Sequence, residues 1–155
     1  LYYVNRDYRE MRITYKGDYA LKTILYLALN EGRLSTIHKI AKNLDIPVKF
    51  LEQVLLELKR AGFVNSKRGK IGGYFLSKSA KNIKLGEVIR FIDGPLEPIA
   101  CVDDNYKDCQ DIRVCVFRKI WQEITQKIST IVDNISFEDL VNEIKRKEKE
   151  LVYVI

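Results

Sequence analysis

"LSTIHKIAKNLDIPVKFLEQVLLELKRAGFVNSKRGKIGGYFL", residues 34–76, decides how this chain folds. Ser35 or Thr36 can cap a short helix that places Ile37, Ile40, Ala41 and Leu44 on one face. "DIP" then makes a turn, with Pro47 at the first position of the next helix, where its missing N–H costs nothing. That helix carries Leu51, Val54, Leu55 and Leu58 as an apolar stripe, and Gly62 ends it. A short helix, a tight turn and a second amphipathic helix make a helix-turn-helix. Its outward face presents Lys49, Glu52, Gln53 and Lys59, groups that reach base edges and phosphates in a major groove. Helix pairs also occur in proteins that bind no DNA.

The rest of the stretch sharpens the reading. Two β-prone runs, 63–65 and 74–76, flank a tip holding Lys67, Arg68, Gly69, Lys70, Gly72 and Gly73. Glycines allow the positive φ angles of hairpin turns. A cationic hairpin directly after a helix-turn-helix reads as a wing, and arginine is suited to a narrow minor groove. An ordinary basic hairpin is the plainer alternative.

Outward from this unit, "ITYKGDYALKTILYLALNEG" predicts a helix with Tyr15, Tyr19, Ile24, Leu27 and Ala28 near helical spacing, stopped by Gly32. Downstream, Leu85–Ile92 predicts a short helix closed by Asp93-Gly94-Pro95, its Val88, Ile89, Phe91 and Ile92 packing onto the winged unit. A long helix follows, with Val116, Ile120, Trp121, Ile124, Ile128, Ile131, Val132 and Ile135 in one stripe. The chain has little else to cover that stripe, which points to a homodimer; packing against the first helix is the alternative. Ser136 and Asp139 cap a final helix. The fold class is therefore mainly α with a small β-hairpin: a winged helix-turn-helix plus a long dimerisation helix. The expected divisions are an extension or tag remnant at 1–10, the DNA-binding unit at 11–84, a connecting helix and cysteine loop at 85–115, and the dimerisation and C-terminal helices at 116–155.

Charge agrees with this division. Of the net +6, residues 1–84 carry +10 and residues 85–155 carry −4. A basic front half suits a polyanion, although a solvated basic surface would look the same. No apolar run reaches the roughly 20 residues that span a bilayer, so no membrane partner is expected. The first ten residues lack a signal-peptide core, and three cysteines are an odd number, so a reducing cytoplasm is expected. Catalysis is not expected: there is no Cys-x-x-Cys, no phosphate loop and only one histidine.

All three cysteines lie in "CVDDNYKDCQDIRVC", residues 101–115, spaced Cys-x7-Cys-x5-Cys. The acids and amides around Cys101, Cys109 and Cys115 argue for a solvated loop rather than core filler. Thiolates are the natural ligands of iron–sulfur clusters. A metal-free thiol switch is a second reading. Zinc is a weaker one, because the paired Cys-x2–4-Cys spacing is missing, and inert cysteines remain the plainest.

With "MRITYKGDYAL" (11–21), "FLEQVLLELKRAGFV" (50–64), "RGKIGGYFL" (68–76), "LGEVIRFIDGP" (85–95) and the cysteine loop followed by "IW", the chain resembles one family of winged-helix regulators. That family includes the iron–sulfur cluster regulator (IscR), the nitric-oxide-sensing repressor (NsrR) and the cysteine-metabolism repressor (CymR). The likeness runs from Met11 to about Val141. It implies a dimeric transcription regulator on double-stranded, pseudo-palindromic DNA, with Glu52 and Gln53 in the recognition segment and Arg68 as the wing arginine. Members with cysteines hold an iron–sulfur cluster in this loop, and members without them use other signals. The best-marked family spacing is Cys-x5-Cys-x5-Cys, with a histidine three residues after the last cysteine. Here that position is Arg118, which stays protonated and cannot ligate. The resemblance offers Asp18, at the position where nitric-oxide-sensing relatives ligate a [4Fe–4S] cluster from the partner subunit. Without it, a [2Fe–2S] cluster is the other form. Asp18 also reads as a first-turn acid that favours the helix dipole, and His38 is a weaker ligand candidate. A metal-free cysteine-metabolism repressor of the same fold and, less favoured, a protein-interaction module are the alternatives.

Overall fold

The computed structural model describes residues 13–152; the extension expected at 1–10 lies outside the described residues. Helix α1 (Tyr15–Leu29) starts at Thr14, whose Oγ1 accepts from Gly17 N–H at 3.1 Å. The same hydroxyl donates to Asp93 Oδ1 at 2.6 Å, and the Thr14 N–H donates to Asp93 Oδ2 at 3.0 Å. The Asp93-Gly94-Pro95 corner thereby holds the start of the first helix. Ala20, Ile24, Leu27 and Ala28 bury one face of α1. Tyr15 does not belong to that stripe and projects from the first turn into solvent.

Helix α2 (Ile37–Leu44) is capped by Thr36, and Asp45 ends it in the left-handed region at φ 52°. Helix α3 (Val48–Arg60) follows, with Pro47 as its N-cap residue, one position earlier than the sequence reading placed it. The Phe50 and Leu51 N–H groups both donate to the Pro47 carbonyl at 3.0 Å. All four expected stripe residues of α3, Leu51, Val54, Leu55 and Leu58, are buried.

Strands β1 (Val64–Lys67) and β2 (Gly73–Leu76) pair antiparallel, from Val64 opposite Leu76 to Lys67 opposite Gly73. Ser35 adds a one-residue third strand, exchanging backbone bonds of 3.1 and 2.8 Å with Tyr74. A Cβ on Gly73 would sit 2.9 Å from the Ser35 carbonyl atoms, so glycine permits this close approach.

Beyond a 3₁₀ turn at Ala80–Asn82 come α4 (Leu85–Ile92), a 3₁₀ turn at Ala100–Val102, α5 (Val116–Asn134) and α6 (Phe137–Val152). The chain closes on itself between α5 and α6. Leu85 N–H donates to Ile135 O at 2.9 Å, and Phe137 N–H donates to Ile83 O at 3.1 Å. Ser136 and Asp139 form a reciprocal cap: Asp139 N–H donates to Ser136 Oγ at 3.2 Å, and Ser136 N–H to Asp139 Oδ2 at 2.8 Å. These Ser136 bonds hold the Asp139 carboxyl below its ordinary range. Its contribution is therefore present at neutral pH and is lost only as pH falls below about 4. The cap delivers Phe137 and Val141 into the same core as α1 and α3. Val88, Ile89 and Ile92 of α4 are buried, while Phe91 stays half-exposed with its ring edge-on to Phe63 at 6.2 Å.

Helix α5 packs along α4 and has no buried residue of its own among the described residues. Arg90 of α4 grips it, donating to both Asp133 oxygens at 2.5 and 3.0 Å and to Ser129 Oγ at 3.0 Å. Gly86 lies under this pair, and a Cβ there would collide with the Asp133 carboxylate. Among the described residues no helix is long and apolar enough to cross a membrane.

Phe137 is fully buried, so Phe137→Ala removes a core ring and leaves a cavity. The expected loss is about 3–5 kcal/mol, read by chemical denaturation. A loss below about 1 kcal/mol, the range of ordinary surface changes, would contradict this placing of α6.

Candidate nucleic-acid interface and cysteine loop

The outward face of α3 carries Lys49, Glu52, Gln53 and Lys59, all exposed, as expected from the sequence. Phe50, 64% exposed, and Leu56 add apolar surface that the sequence reading did not single out. Their exposure follows from the same 3.6-residue period that buries Leu51 and Leu55. Lys59 Nζ donates to Ser66 Oγ at 2.8 Å and ties α3 to the wing.

At the wing tip, Lys67, Arg68 and Lys70 are exposed. Gly69 adopts φ 115°, and Gly72 N–H donates to Gly69 O at 2.9 Å. A side chain at Gly72 would collide with the Lys67 and Gly69 carbonyls, so the tip is kept narrow. Between Glu57 and Glu87 the chain contains no acidic residue. Among the described residues none of Lys49, Lys59, Lys67, Arg68 or Lys70 reaches a carboxylate, whereas Lys16, Lys22 and Lys78 elsewhere are paired with Glu57, Asp18 and Glu87. Unneutralised cations on one face, flanking a helix shaped for a groove, constitute an electrostatic footprint for a polyanion.

The cysteine loop hangs between α4 and α5. Cys101 is buried in its 3₁₀ turn, while Cys109 and Cys115 are half-buried, and all three thiols are free. The Asp111 carbonyl accepts from Val114 and Cys115 N–H at 2.9 and 2.8 Å, so Cys115 sits at the start of α5. Arg118, which stands where a histidine ligand was sought, has a different task. Its Nε donates to the Cys101 carbonyl at 2.6 Å and its Nη2 to Asp104 at 2.8 Å. It thereby ties the first cysteine's backbone to the first turn of α5. The sequence excluded Arg118 as a ligand but gave no sign of this tether, which joins residues 17 apart.

Burial pushes the Cys101 thiol above its ordinary pKa, and negative charge on Cys109 and Cys115 pushes it further, while Arg118 opposes the shift. Negative charge on either of the other two cysteines therefore bears on Cys101. Thiolates brought close together repel, and a bound cation or oxidation relieves that repulsion. The donor chemistry fits an iron–sulfur cluster for three ligands; within one chain, however, no three His, Cys, Asp or Glu side chains among the described residues are gathered tightly enough to hold a metal ion. Asp18 lies in the first turn of α1, paired with Lys22 at 2.6 Å, beside a cleft of about 410 Å³ that it shares with Ile13, Thr14 and Tyr15. The single chain does not bring it to the thiols. His38 is exposed on α2.

Comparison with known proteins gives the following. The Rrf2 family, described as iron-dependent transcriptional regulators, matches residues 13–143. An rrf2-like HTH-type transcriptional regulator of Rhodobacter capsulatus is 39% identical over 137 residues, covering 83% of this chain and 91% of its own. The HTH-type transcriptional regulator IscR of Escherichia coli is 34% identical over 133 residues, 85% of this chain and 81% of that one. Among solved structures, CymR, the global cysteine regulator of B. subtilis, superposes with a TM-score of 0.72 at 29% identity, over 85% of this chain and 97% of its own.

Because Arg118 fastens the turn that buries Cys101, Arg118→Ala is expected to speed alkylation of Cys101 by iodoacetamide several-fold at the high-pH plateau, where the loss of the cation's pull on the thiol pKa no longer counts, read by peptide mass spectrometry. In the unsubstituted protein the half-point of that reaction lies above the ordinary thiol pKa of about 8.5. An unchanged Cys101 rate in the variant would contradict the tether.

Proposed function

The chain belongs to the Rrf2 family of transcription regulators, and on that footing we propose that it is a cytoplasmic, homodimeric DNA-binding regulator whose cysteine loop holds an iron–sulfur cluster. The observation that carries this reading is the joint presence of two features. One is a face of unpaired cations on α3 and the wing; the other is a loop of three free cysteines whose first member is tethered to α5 through Arg118.

In this reading α3 lies in a major groove, where Glu52 and Gln53 meet base edges while Lys49 and Lys59 meet phosphates. The wing follows the adjacent minor groove with Arg68, flanked by Lys67 and Lys70, and Gly72 keeps the tip bare enough to approach. The uncovered residues of α5, Val116, Phe117, Ile120 and Ile131, support a second copy as the cover. Two copies would present paired recognition helices to a pseudo-palindromic operator.

Cys101, Cys109 and Cys115 would supply three thiolates to the cluster, and Asp18 of the second copy the fourth ligand of a [4Fe–4S] form; a [2Fe–2S] form is the alternative if Asp18 is not used. When bound, the cluster supplies a positively charged centre that the three thiolates can share, and a redox- and nitric-oxide-sensitive group. The protein does the rest. Arg118 carries any change in the loop into α5, and Arg90 carries it from α5 to α4 and so to the DNA-binding core. A metal-free thiol switch is the second reading, supported by the likeness to a cysteine regulator.

Anaerobic reconstitution with ferrous iron and sulfide is expected to give a coloured protein that retains both elements after desalting. Cys109→Ser and Cys115→Ser should abolish this, and Asp18→Ala should shorten the cluster's lifetime or change its spectrum. A colourless protein would defeat the cluster, and operator binding that then changes on oxidation of iron-free protein would establish the thiol switch instead. Binding should weaken steeply with salt, and Arg68→Ala or Lys49→Ala should each flatten the log–log salt slope by about one. A salt-independent affinity would contradict DNA binding through this face.

A further inference from the structure

The wing tip carries a side chain that the reading above does not use. The bond from Gly72 N–H to Gly69 O closes a four-residue turn whose two central residues are Lys70 and Ile71. Ile71 is 85% exposed, more than any other large hydrophobic residue among those described. Turn centres favour Gly, Asn, Asp, Pro and Ser, because these accept the backbone angles or bond to them. A β-branched apolar residue gains nothing from that geometry, so a contact outside this chain is the natural reason for it. Its surroundings state which contact. Lys70 precedes it, Arg68 lies three residues back, Lys67 ends the first strand, and no acid occurs between Glu57 and Glu87. An acidic partner is required, and it must offer an apolar surface at the bottom of an anionic cleft. The minor groove of DNA is such a place: phosphates line its rims, sugar C–H groups its walls and base edges its floor.

We propose that Ile71 enters the minor groove beside Arg68 and packs on its floor, making the operator's flanks selective for A·T over G·C. The guanine 2-amino group projects from that floor and occupies the space the side chain needs. The inference rests on the DNA-binding reading, and the experiment separates the two. A duplex is selected from a random pool with the unsubstituted protein, and the pairs under the wing are then rebuilt as A·T, G·C or inosine·C. Inosine·C has the major groove of G·C without the 2-amino group. The unsubstituted protein and Ile71→Val should bind the A·T and inosine·C duplexes alike and the G·C duplex about tenfold more weakly. Ile71→Ser should bind all three alike, with an unchanged thermal unfolding midpoint. If Ile71→Ser keeps the full discrimination, or inosine·C behaves as G·C, the proposal is overturned while DNA binding stands. If no duplex is selected at all, the DNA-binding reading falls and this proposal falls with it.

Discussion

Much of this structure depends on a short backbone bridge. Ile83–Leu85 and Ile135–Phe137 exchange hydrogen bonds, and the Ser136–Asp139 cap then turns the chain so that Phe137 is buried. Once Phe137 is fixed in the core, α5 has no route through the interior. It leaves at the cysteine loop, runs along α4 and returns at the bridge. Its apolar residues therefore stay on the outside, and its two ends report to different parts of the molecule. One end holds the loop through Arg118, and the other is gripped by Arg90. The Arg90–Asp133 pair is half-exposed, so its contribution to stability is about 1 kcal/mol or less. Its importance is geometric, since a bidentate pair over Gly86 fixes how α5 lies on α4.

The winged half was legible because its signals are local. Leu51, Val54, Leu55 and Leu58 recur with the helical period, and all four are buried. The hairpin is marked by glycines between two β-prone runs, although the first strand starts one residue later and runs on to Lys67, and the second starts one residue earlier at Gly73. What was not legible depends on partners distant in sequence. An apolar stripe such as that of α5 looks the same whether its own chain or a second one covers it. Nothing near Ser35 marks it as a third strand, because the partner that makes it one is Tyr74. Phe137 looks like any first-turn aromatic until the packing of α6 on α1 is known, and Tyr15 reads as core although it stands in solvent.

The cysteine loop shows the same division. Its composition gave the thiol chemistry, and all three cysteines are free in the structure. The spacing could not reveal Arg118's bond to Cys101, because hydrogen bonding by a guanidinium to a carbonyl leaves no periodic trace. Nor could it bring Asp18 to the thiols, which in the single chain remains bonded to Lys22. In the proposed reading the loop takes a fourth ligand and α5 takes a cover from a second copy, and one dimer would answer both.

The central claim is that the state of the loop sets the affinity of the cationic face. The most direct measurement is the dissociation constant for one selected operator, at fixed salt and without oxygen, of protein reconstituted with ferrous iron and sulfide, before and after treatment with an iron chelator. The account predicts a change of about tenfold or more, the scale of an ordinary coupling free energy. Equal affinities in the two states would contradict it.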